Sequence, residues 1–90
     1  MTSTRVGENV KVYALYDSRA GRTQHERLQP VVFEWRNRQY RVQDITYVWR
    51  ENRGDSEIYH YAVSDGANVY ELNYEAKTFD WTLSSVACEG

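Results

Sequence analysis

Arginine and aromatic side chains alternate through one segment of this chain, between positions 35 and 53. Guanidinium groups pair with phosphates or carboxylates, and aromatic rings stack on bases or on other side chains, so their combination on a strand is typical of a binding surface. We expect this segment to carry any contact that the protein makes. The candidate binding residues are Trp35, Arg36, Arg38, Arg41, Trp49, Arg50 and Arg53.

Three interpretations of these arginines stay open on sequence alone. They could track the phosphates of a nucleic acid while the rings stack on its bases, or they could form part of a protein-binding surface. They could also pair with carboxylates of neighbouring strands and cover apolar surface with their aliphatic stems. Acidic residues available for such pairing are Glu34, Glu57, Glu71 and Glu75.

Residues that could support catalysis or bind a metal are sparse. The two histidines, His25 and His60, have no closely spaced companions of the ligand types that a metal requires, and Cys88 is the only cysteine. No serine lies in a nucleophile elbow, and the five glycines are too scattered to form a phosphate-binding loop. We therefore predict a protein that is not an enzyme and that uses no metal and no cofactor.

The charge is divided unevenly along the chain. The net charge is −2 and the pI is near 5.6, which argues against a generally basic nucleic-acid-binding protein. Residues 1–53 hold ten Lys and Arg against six acids, a net +4, whereas residues 54–90 hold one against seven, a net −6. This asymmetry indicates either an electrostatic partner or pairing between the two halves.

Alternation of apolar and polar residues with period two predicts an all-β fold. The thirteen aromatic side chains suit a thin sheet with many half-buried rings. We expect a six-stranded antiparallel meander that closes into a small barrel or a strongly curled sheet, which protects its edges. The predicted strands are 9–17, 31–36, 39–50, 57–64, 68–74 and 78–86.

Turn residues and a change of phase define the connections. Asn37-Arg38 is predicted as a two-residue hairpin turn, and Asp65-Gly66 as a type I′ turn. In the third strand Tyr40 and Val42 share one phase, whereas Ile45, Tyr47 and Trp49 share the other. A bulge or bend near residues 43–44 would reconcile the two sets and let one long strand serve two faces.

The remaining segments are short. Thr23 and Glu26 have the spacing of a capping box, but Pro30 follows closely, so at most one short helical turn is expected. We predict a disordered N-terminus at 1–8, one β domain at 9–86 and a loose tail at 87–90. The chain begins without the apolar region of a secretory signal, and its longest apolar run, 12–16, is too short to span a membrane, so we expect a cytoplasmic protein.

The second hairpin resembles a family motif. Its sequence continues into an apolar residue at Ile45 and into the dipeptide Trp49-Arg50, and the likeness extends through 59–63, 70–72 and 81–83. The chain resembles the DUF6504 family of small domains of actinobacteria and of Deinococcus and Thermus relatives. Asn37 stands where that family has a turn glycine. The motif residues are Pro30, Phe33, Trp35, Arg36, Arg38, Tyr40 and Val42.

The resemblance implies a cellular setting for the protein but no catalytic residues. Domains of this type accompany the non-catalytic Y-family polymerase homologue of bacterial mutagenesis cassettes, which implies DNA repair or translesion synthesis. We therefore expect a small, non-enzymatic β module that contacts a protein or a nucleic acid through its arginine-rich hairpin. Homo-oligomerisation through an edge strand is a further expectation. The alternative is a structural or oligomerisation domain whose arginines only pair internally.

Overall fold

The computed structural model describes residues 3–21 and 23–88, which form two antiparallel sheets and one helical turn. Sheet A has five strands in the order β1-β8-β7-β6-β5, and sheet B has three in the order β2-β3-β4. The elements are β1 (Ser3–Asn9), β2 (Lys11–Tyr16), α1 (Gln24–Arg27), β3 (Leu28–Trp35), β4 (Arg38–Arg41), β5 (Asp44–Arg53), β6 (Ser56–Ser64), β7 (Asn68–Glu75) and β8 (Asp80–Cys88).

The all-β prediction is confirmed, but the six-stranded meander closed into a barrel or curled sheet is wrong. The described chain has eight strands in two separate sheets because it crosses between them twice. One crossing lies between β4 and β5, where Val42 N donates to Val31 O of sheet B (2.9 Å) and Gln43 N donates to Ser64 O of sheet A (2.8 Å). The other lies at Val10, between β1 and β2. The predicted strand 39–50 is thus two strands, β4 and β5, and the predicted strand 9–17 is β2, which β1 precedes.

The segment expected to be a disordered N-terminus contains β1, which pairs with β8. Its polar sequence shows no alternation, yet Val6 packs against the core and Gly7 adopts φ +66° beside a register shift. A bulge of this kind explains why period two fails there. At the other end β8 continues to Cys88, within the expected tail, whereas residues 1–2 and 89–90 lie outside the described part.

The core lies between the inner faces of the two sheets. Phe33 of β3 meets Tyr70 of β7 edge to face at 5.0 Å, and the Tyr61 hydroxyl donates to Leu28 O at 2.7 Å. Burying one such side chain contributes about 1.5–3 kcal/mol, so these contacts hold sheet B on sheet A. The fully buried side chains are Tyr61, Tyr70, Phe33, Leu72, Leu83 and Val63.

A bulge in β5 determines which aromatic residues reach this core. Ile45 pairs with Val63 and Tyr47 with Ala62, so Thr46 is the extra residue between them. The bulge turns Tyr47 away from the core, and its side chain is 65% exposed. The shared phase of Ile45, Tyr47 and Trp49 that the sequence indicated is therefore interrupted after Ile45.

Two turns differ from their predictions. The β3–β4 turn consists of Arg36 and Asn37, because Trp35 pairs with Arg38 and both turn residues have positive φ (53° and 65°). These angles are those of a type I′ turn, one residue earlier than expected. Ser64 pairs with Val69 and Asp65 N donates to Asn68 O (3.3 Å), so the β6–β7 turn consists of Gly66 and Ala67, one residue later than expected.

The last predicted strand begins later than expected. Phe79 was assigned to it but lies in the turn before β8, with φ +63° and 74% exposure. Its N–H donates to Glu75 O at 2.8 Å, which closes the turn. The helical turn α1 follows the predicted capping residues, with Thr23 Oγ1 donating to Glu26 Oε1 at 2.8 Å. Among described residues, no helix has the length and apolar character needed to cross a membrane.

Candidate functional site

The seven candidate binding residues lie on different surfaces. Trp35 and Arg38 form a register pair, so their side chains share the face of sheet B that is turned toward the core, at the tip of the β3–β4 hairpin. Arg41 lies on the opposite face of β4. Trp49 and Arg53 lie on the outer face of sheet A, and Arg50 lies on the other face of β5. The segment that looked continuous in sequence is therefore divided by the strand geometry.

One group of four residues stays together at the hairpin tip. We call Trp35, Arg36, Arg38 and Tyr40 the hairpin surface. The Arg36 guanidinium lies over the Trp35 ring at 4.6 Å, and the Arg38 guanidinium lies 6.0 Å from the Tyr40 ring. The two rings are 6.0 Å apart. The hairpin surface is thus an aromatic pair with a cation at each side.

Glu8 of β1 fixes this arrangement. Its Oε1 accepts from Trp35 Nε1 at 2.9 Å, and its Oε2 accepts from Arg36 at 2.9 Å. The hydrogen bond from Arg36, followed by that from Trp35, lowers the pKa of the Glu8 carboxyl. Glu8 is therefore ionised at neutral pH and orients the hairpin surface. Sequence reasoning missed Glu8, because residues 1–8 were predicted to be disordered. No predicted strand therefore brought Glu8 next to Trp35 and Arg36.

The turn is strained at Arg36. A long, non-glycine side chain with φ of 53° occupies a backbone conformation that costs about 1–2 kcal/mol in an L-residue. Asn37, at φ 65°, tolerates that region better than most residues. Strain retained at a residue that also holds an exposed cation over an aromatic ring is a mark of functional positions.

The arginines differ in whether an acid neutralises them. Arg36 pairs with Glu8 (2.9 Å), Arg53 with Glu51 (3.1 Å) and Arg50 more loosely with Glu57 (3.7 Å). By contrast, within 3–21 and 23–88 no carboxylate lies in ion-pair distance of Arg38 or Arg41, and both are exposed. Two positive charges of the second hairpin are therefore available to an outside group.

A second aromatic cluster lies on the outer face of sheet A, and sequence reasoning had not assembled it. Trp49 stacks on His60 with centroids 4.7 Å apart and planes at 4°. His60 Nε2 lies 2.8 Å from Glu51 and Nδ1 lies 3.2 Å from Glu71. We call Trp49, Glu51, His60, Glu71 and Asn73 the histidine cluster.

Hydrogen bonding in the histidine cluster leaves His60 little freedom. The residue is only 7% exposed, and both ring nitrogens face carboxylates. With its amide oriented to satisfy its neighbours, Asn73 donates to His60 Nδ1 (2.9 Å) and to Glu71 (3.1 Å), so Nδ1 is an acceptor and Nε2 is the nitrogen that donates to Glu51. The hydrogen bond to His60 lowers the pKa of Glu51. The arrangement fills every site on the imidazole, so it stabilises the sheet and leaves no ring nitrogen open to a substrate.

The described surface has several depressions, of which one lies beside the histidine cluster and one is mainly apolar. A polar depression of about 340 Å³ beside the histidine cluster is lined by residues that include Asn73, Glu75 and Asp80. A smaller apolar groove of about 170 Å³ lies between Tyr16 and Phe79. Among the described residues no group of three or more His, Cys, Asp or Glu converges to hold a metal ion.

Comparison with known proteins gives one positive finding. The sequence matches the family model described as "Domain of unknown function (DUF6504)" over residues 1–87. No curated protein and no solved structure matches it. Since the match covers nearly the whole chain, β1 and β8 included, this protein belongs to the DUF6504 family.

Proposed function

We propose that this protein is a non-enzymatic binding module that contacts an acidic segment of a partner protein through the hairpin surface. The observation that carries the proposal is the exposed, unneutralised charge of Arg38 beside a fixed aromatic pair. An acidic side chain could pair with this guanidinium while the adjacent apolar part of the partner covers the rings. Trp, Tyr and Arg are the residue types that dominate the energetics of protein interfaces.

A protein partner fits the arrangement better than a nucleic acid does. Binding of a single strand needs a continuous basic track with rings along it. Here Arg38 and Arg41 lie on opposite faces of β4. Trp49 is already stacked on His60, whose ring lies between the carboxylates of Glu51 and Glu71. The net charge of −2 adds no general attraction to phosphates.

The family resemblance supplies the setting of this proposal. It implies that such domains accompany the non-catalytic Y-family polymerase homologue of bacterial mutagenesis cassettes. We propose that the acidic segment belongs to a protein of that DNA-repair or translesion machinery, with the polymerase homologue as the first to be tested.

The test is a calorimetric titration of the full chain with a purified polymerase homologue from a bacterium that encodes the family. Arg38→Glu should weaken binding roughly tenfold or more, because it puts an acid opposite an acid. Arg53→Glu is the matched control: it makes the same charge change at an exposed arginine that Glu51 already neutralises, and it should change the affinity little.

A second titration separates the nucleic-acid alternative. A fluorescent thymidine 20-mer, followed by anisotropy at several salt concentrations, should show no binding that depends on Arg38. Tight binding that depends steeply on salt and is lost in Arg38→Glu would instead indicate that the hairpin surface binds single-stranded DNA, and would replace the proposal of a protein partner. Equal effects of Arg38→Glu and Arg53→Glu on both ligands would remove the hairpin surface as the contact.

A further inference from the structure

Four strand edges are open in the two sheets, and they are not equally protected. Natural edges avoid pairing with other chains by being short, charged or bulged. β4 has four residues with Arg at both ends, β5 carries several charges beside its bulge, and β1 bulges at Gly7. The edge of β2 is the least protected of the four. Lys11 is its only charge, and its exposed apolar side chains are Tyr13, Leu15 and Tyr16 at 45%, 56% and 53%.

Hydrogen bonding shows which backbone groups of β2 face outward. Asp17 N donates to Arg27 O at 2.9 Å, and bonded and non-bonded pairs alternate along an antiparallel ladder. The backbone of Leu15 is therefore hydrogen-bonded to β3, whereas the backbone of Ala14 is not. This agrees with the residue opposite Ala14, Pro30, which has no N–H to donate. The amide and carbonyl of Ala14 point to the open edge.

The same alternation fixes the other outward residues. The bulge opposite Tyr13 and Ala14 inserts its extra residue, Val31, into β3, so β2 itself stays regular. Hence Val12 and Tyr16, two residues to either side of Ala14, share its outward orientation. The packing of the described elements also leaves the edge of β2 open. β2 has its main contacts with β3, and α1 packs on β3 and β5.

We propose that a second copy of this chain adds to sheet B through β2, antiparallel, about a two-fold axis at Ala14. In an antiparallel pair the outward residues of both strands must face each other, which requires even-numbered residues opposite even-numbered ones. Ala14 then faces Ala14, and Val12 faces Tyr16 of the second copy. The result is a continuous six-stranded sheet, and the same patch of both copies forms the interface.

Charge and side-chain pairing favour this register. It puts Lys11 opposite Asp17 of the second copy at both ends of the shared ladder, and it puts Tyr13 opposite Leu15. Asp17 also binds Arg19 through Oδ1 (3.2 Å), and Lys11 pairs loosely with Glu34 (3.8 Å). Opposite charges and an aromatic-aliphatic pair directly across a ladder both stabilise the pairing of the two strands. The proposal uses a surface other than the hairpin surface and is independent of the proposed function.

The test is a charge exchange followed by sedimentation equilibrium and native mass spectrometry of the full chain. The wild type should dimerise with increasing concentration. Lys11→Asp alone puts two acids opposite each other at both ends, and Asp17→Lys alone puts two bases there, so each should weaken the homodimer roughly tenfold or more. A mixture of the two variants should form mainly the heterodimer, in which both ends are again oppositely charged.

A second variant tests the backbone pairing itself. Ala14→Pro removes an N–H that makes no bond in the monomer, so the monomer should keep its circular dichroism and melting temperature while the dimer is lost. A wild type that stays monomeric at about 1 mM overturns the proposal. So does a dimer that survives Ala14→Pro, or a mixture without heterodimer preference. A monomer that pairs through β2 only with an added extended peptide would assign the edge to another protein and also overturn it.

Discussion

The hairpin surface and the histidine cluster share several residue types but are balanced differently. Each has a tryptophan, a second ring and a glutamate in contact with it, which is Glu8 at the hairpin surface and Glu51 in the histidine cluster. In the histidine cluster both nitrogens of a buried imidazole are occupied, Nε2 by Glu51 and Nδ1 by the Asn73 amide, which also binds Glu71. In the hairpin surface Glu8 binds Trp35 and Arg36 and leaves Arg38 without a described acid partner. The first arrangement stabilises the sheet, and the second leaves a charge for something else.

This difference follows from where the two regions lie. His60 belongs to β6, which has a neighbour on each side, so Glu51 of β5 and Glu71 of β7 both reach it. Arg38 begins β4, an edge strand, and has a pairing neighbour on one side only. We therefore propose that similar residues support stability in the centre of a sheet and recognition at its edge. Each prediction below tests one side of this contrast.

Replacing His60 should have the largest effect on stability. His60→Ala leaves Glu51 and the Asn73 amide without their shared partner and removes the ring stacked on Trp49, so we expect a loss of about 2–3 kcal/mol in the free energy of unfolding. Urea denaturation measures it. His25→Ala is the matched control, since His25 is less buried and makes a tilted ring contact with Tyr59 and one long contact with Thr23 Oγ1 (3.3 Å); it should cost below about 1 kcal/mol. Equal losses would mean that the histidine cluster has no special role.

Removing the strain at the hairpin tip should produce a smaller effect of opposite sign. Arg36→Gly relieves the positive φ and loses an exposed ion pair worth little, so stability should rise by about 0.5–1 kcal/mol while binding weakens. Arg36→Ala, the control, keeps the strain and loses the same contacts, so it should be less stable than wild type. Thermal melts and titrations with the partner measure both effects in both variants. If Arg36→Gly left binding unchanged, the functional interpretation of the strain would be contradicted.

The smallest expected effect is on how the free energy of unfolding changes at acid pH. The pKa values of Glu8 and Glu51 are lowered in the folded state, so their contribution is present above the unfolded Glu pKa of about 4.3 and is lost as the pH falls through the folded values. Glu8→Gln and Glu51→Gln should each make unfolding free energy less dependent on pH between about 5 and 3. Unchanged slopes in both variants would contradict these pairings.

The sequence predicted the type of fold because alternation is a local signal. The β6 and β7 patterns led directly to the buried Tyr61, Val63 and Leu72. The predicted bend near 43–44 is the place where the chain changes sheets. What could not be read locally was long-range: β1 forms because β8 offers it an edge, although its own residues are polar.

The candidate site was predicted only in part, for the same reason. Seven residues close in sequence were treated as one surface. Alternation along β4 sends Arg38 and Arg41 to opposite faces, and the change of sheet places Trp49 in the other sheet. Glu8 reaches Trp35 across 27 positions of sequence, a contact that only tertiary structure creates. The spacing of His60 and Glu71 likewise carried no signal until β6 and β7 were paired.

The tryptophan side chains allow the contrast between the two regions to be measured directly. The chain has three tryptophans, of which Trp35 reports on the hairpin surface, Trp49 on the histidine cluster, and Trp81 on the core. The measurement is a set of ¹H–¹⁵N spectra of the indole groups during titration with the polymerase homologue. The Trp35 indole signal should shift or broaden while those of Trp49 and Trp81 stay in place. A response of Trp49 with Trp35 unchanged would contradict the assignment of binding to the hairpin surface.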